Sequence, residues 1–242
     1  MRVPTGCSSL DRLLGGGVES GAITELFGEG GTGKTNICLQ LARNVAREGQ
    51  KVIYIDTEGV SLERLEQMCS GEGDFQEVLK KILFFEPYSL REQERAVERA
   101  IKIAEAEVGV GLVVLDSATV FYRMNLGQGR DERGRHLLAK MTLELLKLAR
   151  QRDIPILITT QVYSHRDGGD VLPIGGHALS HNAKAILKLE KAGDGGLRKA
   201  TLVKHRSMPT DRSTLFRLTP RGVEDAREME EEIGEEMEGV GI

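Results

Sequence analysis

The sequence predicts an α/β protein whose mostly parallel, twisted sheet is covered by helices on both faces. Short apolar runs alternate along the chain with segments whose apolar residues recur every three or four positions, which is typical of strands alternating with amphipathic helices. Several of the runs are entirely apolar, as expected for strands that are buried on both faces. The predicted strands cover residues 22–27, 52–56, 82–85, 112–116 and 154–160.

Helices are predicted between these strands, and a different pattern follows them. Ile37, Leu41 and Val45 lie at helical spacing just after the first strand. The predicted helices cover residues 34–47, 62–69, 89–108 and 132–151. After Pro173 the chain changes to short strands joined by turns, which predicts an antiparallel extension of the sheet. These strands cover residues 185–190, 200–204 and 214–218.

The composition is that of an ordinary globular protein. Of the 242 residues, 40% are hydrophobic and 29% are charged, which argues against a disordered or fibrous chain. The longest apolar runs are far too short to cross a bilayer, so no membrane role is expected. Cys7, Cys38 and Cys69 follow no C-x-x-C spacing, and they predict free thiols in a reducing cytoplasm.

Charge divides the chain into one predicted domain, residues 1–223, and an acidic C-terminal tail, residues 224–242. Residues 224–238 hold nine acidic residues and one arginine, which leaves 32 basic and 28 acidic residues, a net charge of +4, in residues 1–223. A block of like charge repels itself and usually solvates a chain end. The alternative is an autoregulatory tail that competes for a basic surface.

One octapeptide carries the strongest chemical signal. It fits the pattern G-x-x-x-x-G-K-[ST] and lies between the first predicted strand and the first predicted helix. Its glycines allow consecutive backbone N–H groups to surround a polyphosphate, so we predict an ATP site. Lys34 would reach the β- and γ-phosphates and the Thr35 hydroxyl would bind Mg²⁺; a connecting turn without a ligand is the alternative. The predicted nucleotide-binding residues are Gly28, Glu29, Gly30, Gly31, Thr32, Gly33, Lys34 and Thr35.

Two carboxylates and one amide stand at the ends of predicted strands, where ligand sites of α/β sheets lie. Asp116 closes the fourth strand and suits a carboxylate beside Mg²⁺. Glu58 follows the second strand and suits a base that orients and deprotonates an attacking water. Gln161 follows the fifth strand and suits a group that senses the γ-phosphate. For the two acids, helix capping or a loop position is the alternative.

Several further motifs accompany the phosphate-binding loop in a specific order. They are TGCSSLDRLLGGG at 5–17, YIDTEG at 54–59, LVVLDS at 112–117, TTQV at 159–162 and PIGGH at 173–177. In this order they resemble the RecA-type recombinases, especially archaeal RadA, and among these most of all the short RadB paralogues. The resemblance runs from about residue 3 to residue 225 and implies a RecA-like P-loop ATPase core.

The resemblance implies a role for each matching residue. Lys34 and Thr35 would anchor the nucleotide, Glu58 would be the catalytic base and Asp116 the acid on the Mg²⁺ side. Gln161 would be the γ-phosphate sensor. The resemblance also places Arg64 against adenine, although its spacing from Glu58 is one residue shorter than in RadA.

Two loops match the DNA-facing loops of the family, residues 122–135 and residues 163–172. The second is shorter than in RadA and lacks its aromatic pair; since aromatic stacking contributes much single-strand affinity, we expect weak DNA binding and poor strand exchange. The chain also begins at the ATPase core, without the helical DNA-binding domain and filament linker of RadA. A solvated surface loop is the alternative for the basic residues. The predicted DNA contacts are Arg123, Arg130, Arg133, Arg135, His165 and Arg166.

A basic triplet near the C-terminus, Lys204, His205 and Arg206, resembles one in RadB and in KaiC-like ATPases. There it faces the nucleotide of a neighbouring protomer, so Lys204 and Arg206 are predicted to act catalytically in trans by stabilising charge on the γ-phosphate. A charged hairpin edge that discourages strand pairing is the alternative.

Together these features predict a cytoplasmic ATP-binding accessory protein of DNA repair and homologous recombination. It would bind DNA, with single-stranded DNA as the expected partner and the preference between single and double strands left open. It would also cooperate with RadA and act as a weak DNA-dependent ATPase with Mg²⁺; a homo-oligomer is left open. The alternatives are a self-assembling recombinase, a KaiC-like regulatory ATPase that binds no DNA, and a metabolic P-loop kinase.

Overall fold

Strands alternate with helices through most of the chain. The computed structural model describes residues 1–124, 131–163, 172–175 and 177–226. The strands are β1 (Arg2–Val3), β2 (Val18–Glu19), β3 (Ile23–Gly28), β4 (Lys51–Asp56), β5 (Ile82–Phe85), β6 (Val110–Asp116), β7 (Ile156–Thr160), β8 (Val162–Tyr163), β9 (Leu172–Pro173), β10 (Ala185–Lys191), β11 (Leu197–His205), β12 (Ser213–Thr219) and β13 (Gly222–Asp225). The helices are α1 (Ser8–Leu13), α2 (Lys34–Arg47), α3 (Leu62–Cys69), α4 (Phe75–Leu79), α5 (Leu90–Ala106), α6 (Val120–Met124), α7 (Asp131–Arg152) and α8 (His177–Asn182).

The main sheet of the described residues has nine strands in the order β13-β12-β11-β10-β3-β7-β6-β4-β5. The six strands from β10 to β5 are parallel, and β11, β12 and β13 continue the sheet in antiparallel fashion. The predicted RecA-like α/β core with an antiparallel C-terminal extension is therefore confirmed. One strand differs: β10, predicted within that extension, pairs parallel with β3, with Leu187 beside Leu26. The reason is that α8 intervenes and returns the chain to the start of β3.

Local sequence explains most element boundaries. The side chains of Ser61 and Ser89 accept hydrogen bonds from backbone N–H groups in the first turns of α3 and α5, so each helix begins at the next residue. Strand β7 begins two residues later than predicted, after Pro155, which has no N–H to donate.

Each face of the sheet buries its own hydrophobic cluster. Leu26, Tyr54 and Leu41 belong to the cluster on the α2 face. Ile55 and Leu115 belong to the opposite cluster, which includes residues of α5 and α7. Because alternate residues of a strand point to opposite faces, the uninterrupted apolar runs of β4 and β6 fill both clusters.

The sheet extends into the segment that was predicted as an acidic tail. Glu224 and Asp225 belong to β13, and the Asp225 carboxylate accepts hydrogen bonds from the backbone N–H groups of Ser8, at 3.2 Å, and Ser9, at 2.6 Å. The sheet therefore continues past the predicted boundary at residue 223, and the partners of the Asp225 carboxylate lie at the other end of the chain. Residues 227–242 of the predicted tail lie outside the described residues.

Two further properties concern membrane-spanning helices and the cysteines. Among the described residues, no helix combines the length and the apolar composition that a membrane span requires. Cys7, Cys38 and Cys69 are all free thiols and all buried.

Candidate nucleotide-binding site

The predicted phosphate-binding loop connects β3 to α2 and has the backbone that the pattern requires. Gly33 caps the N-terminus of α2 with a φ of +100°, in the left-handed region that favours glycine. At Gly28 a β-carbon would lie 2.2 Å from the Leu189 carbonyl oxygen, so only glycine fits beside β10. The loop therefore has the shape of a phosphate cradle, and its glycines have structural reasons to be there.

Hydrogen bonds hold this loop in shape. The Lys34 ammonium donates to the carbonyl oxygens of Gly28 and Glu29, both at 2.8 Å, and the Arg198 guanidinium donates to the Gly31 carbonyl at 2.9 Å. Burial lowers the pKa of Lys34, while the nearby charges of Glu58 and Asp116 raise it. A bound phosphate would give the Lys34 ammonium a charged partner in place of two neutral carbonyls.

Asp116 lies at the end of β6 with 1% of its surface exposed. Its two carboxylate oxygens accept hydrogen bonds from the Thr159 hydroxyl, at 2.5 Å, and the Tyr54 hydroxyl, at 2.8 Å. Burial raises the pKa of Asp116, and hydrogen bonds from Thr159, Tyr54 and Thr35 oppose that rise. The carboxylate is thus held beside the Thr35 hydroxyl, where the two side chains together suit Mg²⁺.

The donors present fit a magnesium ion that arrives with the nucleotide. Thr35 and Asp116 offer only oxygen atoms, the ligands that Mg²⁺ prefers. Among the described residues no group of three or more His, Cys, Asp or Glu side chains forms a metal cluster. The remaining ligands would be phosphate oxygens and water, which is the usual arrangement for this ion.

Glu58 is held at the mouth of the site by a turn after β4. The Asp56 carboxylate accepts hydrogen bonds from the backbone N–H groups of Glu58, Gly59 and Val60, at 3.0, 2.9 and 2.5 Å. Burial is the largest cause that raises the pKa of Glu58; Asp116 adds to the rise, while Gln161 and Lys34 oppose it. A raised pKa brings a carboxylate closer to the value that suits a general base. Asp56 was not among the predicted site residues, although an aspartate before a glycine-containing turn is a recognisable signal.

A short hydrogen-bonded chain crosses the site. The Gln161 side-chain amide donates to Glu58 Oε1 at 2.7 Å, and the Arg123 guanidinium donates to Gln161 Oε1 at 3.1 Å. These residues line a cleft of about 400 Å³. Arg123, predicted with the DNA-facing arginines, therefore lies at the nucleotide site. The residues lining the cleft are Gly28, Glu29, Gly30, Lys34, Glu58, Arg123, Gln161 and Val162.

Arg64 lies beside the first turn of α2 but is engaged by protein groups. Its guanidinium donates to Asn36 Oδ1 at 2.8 Å and to the carbonyl oxygens of Thr219, at 2.6 Å, and Pro220, at 3.0 Å. It thereby ties α3 to α2 and to the turn after β12. Contact between Arg64 and adenine stays a prediction.

Lys204 and Arg206 lie towards the opposite edge of the sheet from the phosphate-binding loop. Lys204 of β11 pairs with Ile186 of β10, and Ile186 in turn pairs with Glu25 of β3. Glu25 lies three residues, or about 10 Å, before the phosphate-binding loop along β3. The Lys204 ammonium donates to the Ser180 carbonyl at 2.5 Å, and Arg206 forms an ion pair with Glu19. Neither cation reaches a nucleotide bound in its own chain, so the predicted catalytic role would require a second protomer.

The remaining predicted DNA contacts are only partly covered by the structure. Arg133 and Arg135 are exposed near the start of α7. Arg130, His165 and Arg166 lie outside the described residues.

The fold and the site define the chain as a RecA-like core with a phosphate-binding loop. The Rad51 family model matches residues 1–226, so the chain belongs to the Rad51 family, and its relatives place it in the RadB group. The DNA repair and recombination protein RadB of Methanococcoides burtonii is 46% identical, over 90% of this chain and 95% of that protein. RadB of Archaeoglobus fulgidus is 43% identical, over 93% of this chain and 98% of that protein. A crystal structure of the RadB recombinase matches with a TM-score of 0.79 and 34% identity, covering 93% of this chain and all of that one.

Proposed function

We propose that this chain is an ATP-binding accessory protein of DNA repair and homologous recombination that binds DNA, cooperates with RadA and hydrolyses ATP slowly in the cytoplasm. The observation that carries the proposal is the convergence of Lys34, Glu58 and Gln161 on one cleft at the phosphate-binding loop, with Asp116 near enough to influence the pKa values of Lys34 and Glu58, in a member of the Rad51 family.

In this proposal each side chain has one task in hydrolysis. Lys34 binds the β- and γ-phosphates, and Thr35 with Asp116 holds Mg²⁺, which neutralises charge on the phosphates. Glu58 orients and deprotonates the attacking water. Gln161, hydrogen bonded to Glu58 at 2.7 Å, keeps that carboxylate turned towards the γ-phosphate.

Slow hydrolysis follows from where the cations lie. Transition-state charge on the γ-phosphate is commonly stabilised by a cation beyond the phosphate-binding loop, often supplied by a neighbouring molecule. Here Lys204 and Arg206 lie towards the other edge of the sheet. An isolated protomer therefore lacks these two charges at its own site, and rapid turnover would depend on assembly.

Exposed arginines support DNA binding through the phosphate backbone. Arg133 and Arg135 are exposed at the start of α7, and Arg133 lines a cleft of about 470 Å³ together with Arg91 of α5. Cations that contact phosphates release counterions, so we expect affinity that is independent of sequence and falls steeply as salt rises.

The test is ATP turnover with and without single-stranded DNA, using Lys34→Ala to subtract contaminating activity. An accessory protein should show slow turnover that DNA changes little, salt-sensitive DNA binding, and capture of RadA in the absence of DNA. Strong stimulation by DNA together with filaments in ATP would instead indicate a recombinase. Turnover without any DNA binding or RadA capture would indicate a regulatory ATPase and refute the proposal.

A further inference from the structure

Arg123 occupies a position that its neighbours in the sequence do not suggest. It lies on α6, seven residues after Asp116, immediately before the final residue of that short helix. Its guanidinium reaches the residue that follows β7 and donates to Gln161 Oε1 at 3.1 Å, although the two are 38 positions apart in the sequence. Arg123 thus borders the same cleft as Lys34 and Glu58.

The order of contacts places Arg123 at one particular end of the cleft. Lys34 and the loop glycines form the floor, where the backbone would surround the β-phosphate. Glu58 and Gln161 lie across from the loop, where an attacking water must stand. The Gln161 amide accepts a hydrogen bond from Arg123 and donates one to Glu58. The Arg123 guanidinium is therefore one side chain away from the carboxylate that is proposed to hold the attacking water, where a γ-phosphate would also lie.

The guanidinium also has hydrogen-bonding capacity for a phosphate. It carries five N–H donors in a planar fork that matches phosphate oxygens. Its hydrogen bond across the cleft uses one nitrogen and goes to a neutral amide. Because hydrogen bonds between charged groups are about twice as strong as neutral ones, a γ-phosphate would compete well with Gln161 for this side chain.

We propose that Arg123 binds the γ-phosphate from within the same chain and is the residue that distinguishes a nucleoside triphosphate from a diphosphate. This inference rests on the proposed ATP site. The Arg123 guanidinium contacts the γ-phosphate oxygens, which frees Gln161 Oε1 to accept a hydrogen bond from the water held by Glu58. A diphosphate leaves that end of the cleft without an anion, and Arg123 stays bonded to Gln161.

The experiment compares the affinities of Mg²⁺ with ADP and of Mg²⁺ with the β,γ-imido analogue of ATP, by isothermal titration. Wild type should prefer the triphosphate. Arg123→Ala should weaken the analogue about 10- to 100-fold, the effect of one lost hydrogen bond to a charged group, and change ADP affinity by less than about twofold. Arg123→Lys should fall between them, because it keeps the charge but not the fork.

Arg133→Ala is the matched control, since Arg133 is another arginine from the same predicted DNA-facing loop and lies outside the cleft. It should weaken single-stranded DNA binding and leave both nucleotide affinities unchanged. Thermal unfolding checks that each variant is folded. If Arg123→Ala does not fold, the nucleotide affinities of Arg123→Lys are compared with those of wild type instead.

Two sets of results separate this inference from the proposed function. If wild type prefers the triphosphate and Lys34→Ala loses both nucleotides, but the Arg123 variants keep the wild-type preference, the inference is overturned and the ATP site stands. Equal weakening of ADP and the analogue in Arg123→Ala overturns it too. If wild type binds neither nucleotide, the proposed function itself fails.

Discussion

The two edges of the parallel sheet contain similar kinds of charged residue but arrange them differently. At the carboxyl edge, Lys34, Glu58 and Asp116 come from separate segments and influence one another's pKa values directly. Towards the amino edge, Lys204 and Arg206 are engaged by Ser180 and Glu19 and lie away from the loop. The difference shows that strand direction, more than residue type, decides which charges form a site, because parallel strands bring their carboxyl ends together.

The largest effect should come from the proposed base at the carboxyl edge. Glu58→Gln keeps the size of the side chain and one oxygen that can accept from Gln161 but removes its basicity, so turnover should fall by about 10²- to 10⁴-fold while ATP stays bound. Phosphate release and equilibrium binding measured on the same preparation check this. Asp11→Asn, at a carboxylate near the N-terminus that bonds Thr5, is the control; wild-type turnover in Glu58→Gln would remove Glu58 from the mechanism.

Lys34→Ala should remove most nucleotide binding at the same edge. The variant loses the ammonium that contacts the phosphates, and a lost charged hydrogen bond weakens binding by roughly 10- to 100-fold for each contact. Fluorescent-nucleotide titration checks it, with Lys80→Ala, an exposed lysine paired only with Glu77, as the control. Undiminished affinity would mean that the glycine-rich loop is only a connection between β3 and α2.

Glu25, midway between the two edges on β3, should make stability depend on pH. It is 1% exposed; Oε1 accepts a hydrogen bond from the Thr160 hydroxyl at 2.9 Å, and Oε2 has no hydrogen-bond partner among the described residues. Burial raises the pKa of Glu25 to about 7, and the Thr160 hydrogen bond and the charge of Lys204 oppose the rise. The folded protein then holds a proton that the unfolded chain releases near the ordinary pKa of 4.5.

The contribution of protonated Glu25 to the free energy of unfolding is therefore complete below about pH 4.5 and falls as the pH rises to about 7. Above about pH 7 the free energy of unfolding no longer changes because of Glu25. Glu25→Gln mimics the protonated acid, so at pH 8 it should exceed wild type in unfolding free energy by up to roughly 3 kcal/mol, the cost of a shift of this size. At pH 4.5 the two proteins should be nearly equal. Urea unfolding at both pH values checks this, and parallel pH profiles for the two proteins would contradict it.

The smallest effect in an isolated protomer should come from the opposite edge. Arg206 is half-exposed and its ion pair with Glu19 lies at the surface, so Arg206→Ala should cost about 0–1 kcal/mol of stability and leave ATP affinity unchanged. If Arg206 acts on a neighbouring protomer, wild-type turnover per chain should rise with protein concentration and that of Arg206→Ala should not. Lys199→Ala, at an exposed lysine of β11, the strand that ends just before Arg206, is the control; equal specific activity across a tenfold range of concentration would exclude the role in trans.

The local motifs of the site could be predicted because their geometry is built from neighbouring residues. The phosphate-binding loop needs only a strand, glycines and a helix N-terminus within a short segment, and the structure has each of them. The sequence also predicted that three polar residues would share the site: Glu58, Asp116 and Gln161. Each stands at or just after the end of an apolar strand, and the carboxyl ends of parallel strands lie together.

Other features depend on partners far along the chain. The assignment of Asp225 to a tail was wrong because its carboxylate is satisfied by N–H groups some 216 residues away. The place of Arg123 could not be predicted either, since a basic loop at a DNA-facing position looks the same in sequence whether or not one arginine turns inward. Arg64 lies beside the first turn of α2, near the predicted nucleotide site. The carbonyl groups to which its guanidinium donates belong to the turn after β12, far along the chain.

By itself the sequence determined the class of fold, the order of the central elements and the phosphate-binding loop, because hydrophobic periodicity and glycine geometry act over a few residues. Only the tertiary structure decided which side chains share the cleft, that β10 joins the parallel strands, and that Lys204 and Arg206 lie apart from the site. Those outcomes depend on strand order and register, which are set by packing between residues distant in sequence.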